Sequence, residues 1–397
     1  MRNIIIGAAL LATAALAGAQ DAPRPTPQQL FAQAREARLA GDYPGYLRAV
    51  EALKAMMPWS PGVTFNLTRA QALTGQHAAA VANLNALADA GWGFDAAGDE
   101  VLAPPMQGKP GFAEAAARLA ANRTPHGTVT PSAKVALAGK QPEGVAATAD
   151  GTLYVGALQD GIHRLDAGGL KRLYTPAAGF GVVGLRVDAP RNELIACLSD
   201  QKAGKGRLVR LALPDLAPRT SVDFPAENVF CNDSAVLPDG RVAVTDSTGG
   251  RLWIATRDRL AEVKTSTGLI YPNGIAYGGN RLYVAHAPGL LVVDPATGAA
   301  TELKDDKGNS IIGIDGLIWH DGALLAVQNG TQPIRILRLT PAATSLRAEV
   351  LASGHSVFAG ATTAAVAGGK LQIITQTGIP DGSKPDDPML VEVPLAR

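Results

Sequence analysis

Four side chains occupy matching places in a repeated pattern and could share one ion: Glu143, Asn232, Asn273 and Asp315. Each opens a segment of the same form. A small or polar residue leads into a short apolar run, a tight turn follows, and a second apolar run comes after it. PEGVAATADGTLYV at Glu143 and DGLIWHDGALLAV at Asp315 show the form. The remaining openings carry Val183 and Thr362. Two carboxylates and two amide oxygens make an all-oxygen donor set of about two negative charges, which suits a hard divalent cation, Ca²⁺ before Mg²⁺ or Mn²⁺. Zn²⁺ fits less well, because it more usually recruits His or Cys. Val183 and Thr362 leave two places without strong ligands, so water or a substrate oxygen would complete the coordination. An isolated Asn-Gly or Asp-Gly is usually only a turn. Four oxygen-bearing side chains in one register of a repeat carry the metal expectation.

Other residues could serve the same site. His286 and His355 fall in loops on the face of the opening residues, where a His can act as a general base; the plain alternative for each is a solvated His. Asp246, in Thr245-Asp246-Ser247, is placed to support the site from behind. His163 falls on an outer strand and His320 on the opposite face, so neither is a candidate. No G-x-S-x-G elbow occurs, which disfavours a serine esterase. No Gly-rich phosphate loop occurs either. A net charge of +1 and the lack of a long basic run give no electrostatic footprint for nucleic acid.

The openings must be positioned by the elements between them. They lie 40, 49, 41, 42 and 47 residues apart. Short strands repeating at roughly 40–50 residues are the signature of a β-propeller. The expected fold is therefore mainly β: a six-bladed propeller over residues 132–397, preceded by a small all-α domain over 26–122 and a Pro-, Thr- and Gly-rich linker. In a propeller, equivalent positions of all blades surround one axis, so the opening residues should converge. Turns such as Pro238-Asp239-Gly240 and Asp321-Gly322 are tight hairpins on the far face. Loops between second and third strands, and between blades, share the face of the openings. Among them 375–388 is long and polar enough to be a lid. Residues 132–138 read as a strand with no blade of its own. They are expected to complete the last blade and close the ring, which removes exposed edges.

Residues 26–122 are rich in Ala and Leu, with apolar residues at helical spacing. Gly41-Asp42-Tyr43 and Gly75-Gln76-His77 align 34 residues apart, and Pro58 ends the first unit. The period, the turn Gly and the closing Pro resemble the tetratricopeptide repeat. Two units rarely stand alone, so a capping helix over 112–121 and packing on the propeller are expected. The segment is read either as an appendage that orients the propeller or as a groove for a protein partner. Residues 1–19 read as an export signal: Arg2, an apolar stretch over 4–16, then Ala17-Gly18-Ala19. That stretch is shorter than the ~20 residues that span a bilayer, so stable membrane insertion is not expected and the location is periplasmic or secreted. Cys197 and Cys231 are either one disulfide, which export permits, or two buried thiols.

Glu143-Gly144, Asn232-Asp233 with Pro238-Asp239-Gly240, Pro272-Asn273-Gly274 and Asp315-Gly316 resemble the regucalcin/gluconolactonase family, of the senescence-marker-protein type, over roughly residues 140–395. More distantly the chain is similar to paraoxonases. The resemblance implies that Glu143, Asn273 and Asp315 are metal ligands and that Asn232 faces both metal and substrate. It implies a divalent metal that polarises a lactone carbonyl, with Asp315 assisting proton transfer. Paraoxonase-type relatives imply a base at His286 or His355. Family sugar-lactonases carry an Arg where this chain has Phe230, and losing that hydrogen-bonding cation favours a less polar lactone or ester. The expected function is an exported, metal-dependent hydrolase of small-molecule lactones or related esters. The alternative is a non-catalytic binding propeller with a structural metal, whose helical repeats recruit a partner.

Overall fold

The computed structural model describes residues 25–166, 168–378 and 387–395. The export-type segment and residues 379–386 of the long polar loop lie outside the described residues. The helical part comprises α1 (Pro27–Leu39), α2 (Tyr43–Met56), α3 (Pro61–Leu73), α4 (His77–Asp89), α5 (Ala103–Met106) and α6 (Phe112–Ala121). Thr26 and Gln29 form a reciprocal capping box at the start of α1. The two aligned glycines end α1 and α3 in the same way. Gly41 and Gly75 adopt φ +73° and +79°, a conformation that costs a Cβ-free residue least. The residue after each glycine donates its N–H five residues back, to Ala37 and Gln71. Leu30, Tyr46, Val50, Leu53 and Val63 form one core under α1 to α3; Phe65, Leu84, Leu87, Trp92 and Leu119 form a second towards α6.

The rest is a propeller-like array of antiparallel strands. The leading strands are Pro142–Ala147, Gly181–Asp188, Cys231–Val236, Ile275–Gly278, Leu317–His320 and Ala364–Ala367. Each contacts the next, and the last contacts the first, so they surround an axis. Strands follow outward from each leader in chain order. Among the described residues four sheets have four strands. A fifth has eight, made of two antiparallel groups that join where Lys304 and Asp305 pair in parallel with Ser345 and Leu346. Strand Thr130–Lys134 pairs with Met389–Pro394 and becomes the outermost strand of the sheet led by Ala364–Ala367. The first and last of the described strands thus share one sheet. That strand begins and ends earlier than the sequence pattern indicates; Val135 and Leu137, beyond it, are buried core residues.

Burial explains the composition of the strands. Second strands such as Glu193–Asp200 and Ala323–Gln328 are covered on both faces and read as near-continuous apolar runs. Outer strands such as Gly169–Tyr174 and Ala217–Asp223 are largely exposed and carry Lys, Arg, Ser and Thr. The helices sit on the loop face of this array. Gly93 donates its N–H to the Gln332 carbonyl at 2.5 Å. Arg335 stands over the Trp92 ring at 5.7 Å. Ile312, from a propeller loop, packs into the helical core. No helix among the described residues is long and apolar enough to cross a membrane.

Candidate functional site

A local irregularity aims each opening residue at the axis. In the first three leading strands the pairing register slips at the opening: between Pro142 and Val145, between Val182 and Leu185, and between Cys231 and Ser234. Glu143, Val183 and Asn232 sit in these bulges. In the later units one residue of the second strand bonds two neighbours at the opening. Ala285 accepts from Asn273 at 2.8 Å and donates to Gly274 at 2.9 Å; Val327 does the same with Asp315 and Gly316. Bulges re-aim side chains near functional sites, and here they do so in register. The Gly after the opening residue has a packing reason. A Cβ at Gly144 would collide with the Val183 carbonyl, and one at Gly274 with the Asp315 carbonyl. The Asn-Gly and Asp-Gly pairs are close approaches between neighbouring units rather than hairpin turns.

Glu143, Val183, Asn232, Asn273 and Asp315 all line one cavity of about 830 Å³. Thr362 stands behind it and donates its hydroxyl to the Glu143 carbonyl at 2.9 Å. Phe230 and His286 also line the cavity. The site-face loops supply its wall, and the far-face hairpins do not reach it. His320 lies at a separate, smaller cavity on the far face.

His355 does not reach the site. Its Nε2 lies 2.9 Å from the His126 carbonyl and 3.1 Å from the Gly127 carbonyl, and its ring packs edge-on against Phe358. The loop that carries it is drawn outward to the linker, where Ser353 bridges to His126. The expectation that His355 contacts substrate is corrected on this ground. Cys197 and Cys231 are free and buried.

The electrostatics of the cavity floor call for positive charge. Burial pushes the Glu143 carboxyl well above its usual range, with Asp315 and Asp233 adding repulsion. Burial raises Asp315 to about 7, against the lowering effect of hydrogen bonds from Asn329 and Asn273. The Asn273 Oδ1 is buried and has no hydrogen-bond partner. An orphaned amide oxygen beside two protonation-prone carboxylates is the chemistry of a hard-cation site. Among the described residues no group of three or more His, Cys, Asp or Glu is arranged to hold a metal. A cation here therefore needs the amide oxygens of Asn232 and Asn273 along with the two carboxylates.

Several supporting residues carry no signal in the opening register. Asn329 donates to Asp315 and to the Ala361 carbonyl. Asn232 donates to the Ser247 hydroxyl at 2.8 Å, and that hydroxyl donates to the Pro272 carbonyl at 2.5 Å. Ser247 and Asn329 follow their opening residues by 15 and 14 positions, just past the second strand. Aligning the repeats at that second register would have found both. Asp246 accepts from the Phe230 N–H at 2.9 Å and pairs with Arg251 at 2.7 Å. It holds the Phe230 backbone, the supporting place its position indicated.

Arg186 was missed too. It leaves the leading strand of the second sheet and crosses the axis. Its Nε donates to the Ser234 carbonyl at 2.8 Å, and its Nη2 reaches Asp233 and the carbonyls of Ile275 and Leu317. It ties three neighbouring sheets together beneath the cavity floor. An Arg inside an apolar strand, in VGLRV, was its signal, because a buried cation needs a partner. His286 is buried with Nδ1 unpartnered, and burial pushes its imidazole down, so it is neutral near pH 7.

Fold and site together define a propeller-like protein with an acid- and amide-lined axial cavity. No protein-family model and no curated protein matches the sequence. Solved structures share the fold. The Malassezia sympodialis allergen Mala s 1 aligns at TM-score 0.54 and 14% identity, over 66% of this chain and 94% of its own. A proposed oxidoreductase (glucose dehydrogenase) from Thermus thermophilus aligns at TM-score 0.50 and 16% identity, over 67% and 99%. A gluconolactonase from Xanthomonas campestris aligns at TM-score 0.47 and 17% identity, over 68% and 99%, a likeness too loose to carry an argument.

Proposed function

We propose that this protein is an exported, metal-dependent hydrolase of lactones or related carboxylic esters, built on a six-bladed propeller. The two groups of the eight-stranded sheet count as separate blades in this reading. The observation that carries it is the convergence of Glu143, Asn232, Asn273 and Asp315 in one cavity where both carboxylates are pushed towards protonation. These four residues would hold a divalent cation, Ca²⁺ in the first place. Such a cation supplies Lewis-acid polarisation of a carbonyl and eases deprotonation of water.

The chain's own residues do the rest. Asn232 is fixed by Ser247, which leaves its amide oxygen as the free end. Asp315, steadied by Asn329, accepts the proton of the attacking water. The water oxygen bonds to the carbonyl carbon, the C–O bond of the ester breaks, and the proton ends on the leaving alkoxide. Neutral His286, in the same cavity, can relay that proton. The N-terminal pattern supports export to the periplasm or beyond. A helical-domain protein partner belongs to the alternative, non-catalytic reading. An open cavity that holds both a proton acceptor and an unpartnered His favours the enzyme.

A panel of lactones and aryl esters, assayed with chelator-stripped and cation-reloaded protein, tests the reading. Hydrolysis that disappears on stripping and returns on reloading is expected. Equal activity before and after stripping, or none under either condition, removes it.

A further inference from the structure

We infer that the helical domain forms the outer wall of the cavity, and that Trp59 sets specificity for substrates with an apolar arm beyond the reacting carbonyl. This rests on the hydrolase reading for the word substrate, and on geometry for the wall. The end of the α2–α3 turn and the start of α3, Trp59 to Gly62, line the same cavity as Glu143, Asn232, Asn273 and Asp315. The turn is fixed. Lys54 donates its ammonium to the Pro58 carbonyl at 2.7 Å and to the Thr64 hydroxyl at 2.6 Å. Ser60 caps α3 by accepting from the Val63 N–H. The docking contacts at Gly93 and Arg335 hold the helices to the propeller. Ile312 both lines the cavity and packs into the helical core, so one side chain belongs to both walls.

The cavity is chemically two-ended. Its floor carries carboxylates and amides. The loops and the helical turn around it add Trp59, Phe230, Tyr271 and Ile312, among polar Ser60, Gln201, Asn228 and Thr248. Tyr271 is 56% exposed and has φ +48°. A bulky residue in that conformation is strained, and such strain clusters at ligand clamps. A volume of about 830 Å³ lies in the range that takes drug-sized ligands, well beyond the needs of a bare lactone ring. A polar carbonyl head with a hydrocarbon or aryl arm matches both ends.

The test uses the full-length, cation-loaded protein and two ligands that resist hydrolysis, pyrrolidin-2-one and 5-octylpyrrolidin-2-one, in calorimetric titrations. The octyl ligand is expected to bind wild type at least ~10-fold more tightly than the parent, as burial of an alkyl arm implies. Trp59→Ala should remove most of that ratio, chiefly by weakening the octyl ligand; Trp59→Phe should keep most of it. Tyr271→Ala supplies a second variant outside the helical domain and should also reduce the ratio. An unchanged ratio in folded Trp59→Ala, equal affinities in wild type, or no binding of either ligand overturns the inference. A Trp59-dependent ratio without lactone hydrolysis would sink the hydrolase reading alone. Hydrolysis without any ratio would sink the wall alone.

Discussion

Asn329 donates its side-chain amide both to the Asp315 carboxylate and to the Ala361 carbonyl, 2.8 Å away, so it ties Asp315 to the next unit of the ring. A hydrogen bond to the ionised form stabilises that form. Without it the Asp315 carboxyl, which burial already raises in the cation-free protein, loses a lowering influence and moves up. Asn329→Ala should therefore move the acidic limb of the kcat/KM profile to higher pH and reduce turnover at pH 7 by about 10-fold. Superimposable pH profiles for variant and wild type would show that Asn329 does not tune the base.

The opening register was legible because propeller geometry turns a sequence period into a spatial ring. Glu143, Asn232, Asn273 and Asp315 needed only the repeat to be brought together. His355 was misplaced because loop membership says which face a residue starts from, not where the loop goes, and the linker pulls this one outward. Arg186 and Asn329 fall outside the opening register: Arg186 is a lone cation in an apolar strand whose partners come from other units, and Asn329 stands 14 positions after Asp315, past the second strand. The Gly after Glu143 and Asn273 has its reason in the neighbouring unit's carbonyl, visible only once the sheets are side by side. The two aligned helical turns gave no hint that Trp59 would meet the axial cavity, since docking direction is a tertiary choice.

Metal-free protein should show a distinctive pH dependence of stability. Folding raises the pKa of Glu143 and Asp315, so the folded state binds more protons than the unfolded one at intermediate pH. Their contribution is fully present below the unfolded values near 4 and is lost as pH rises through about 7 for Asp315. Stability of stripped protein should fall across that window. Added Ca²⁺ should offset the fall, because a ligand bound only by the native state stabilises it. Calorimetric scans from pH 4 to pH 8, with and without Ca²⁺, check this. Identical curves would argue against a shared cation site.

The half-buried Arg186 and its partner Asp233 should behave as a coupled unit. Their side chains are 21% and 10% exposed, and Asp233 stays raised by burial even beside the cation. Removing only the Arg strands a carboxylate and three carbonyls. Arg186→Met should cost about 3–5 kcal/mol in denaturant unfolding. Adding Asp233→Asn to that variant should recover part of the loss, a coupling that a double-mutant cycle measures. Strictly additive effects would mean the two residues do not depend on each other.

Asp315→Asn keeps the shape of the side chain and removes its charge. The fold should survive, since the bond from the Asp315 N–H to the Val327 carbonyl is untouched. Cation affinity should weaken, and turnover should fall by at least ~100-fold, a usual scale for losing acid–base assistance. Activity near the wild-type level in cation-loaded Asp315→Asn would transfer the base role to His286, the remaining unpartnered candidate in the cavity.

Phe230 should decide which lactones are preferred. Its backbone is held on both sides, by Asp246 through its N–H and by Ser247 through its carbonyl at 3.0 Å. The ring therefore enters the cavity from a fixed point. An aromatic wall favours apolar substrate surface, at roughly 25 cal/mol per Å² removed from water. Wild type should show a higher kcat/KM for alkyl- or aryl-substituted lactones than for gluconolactone. Phe230→Arg should shift the ratio towards the sugar lactone by offering a hydrogen-bonding fork. It should also weaken Ca²⁺ binding, because the guanidinium would share the cavity with Glu143 and Asp315. A wild-type preference for gluconolactone, or an Arg variant with unchanged selectivity and unchanged Ca²⁺ affinity, would mean that Phe230 does not face the substrate.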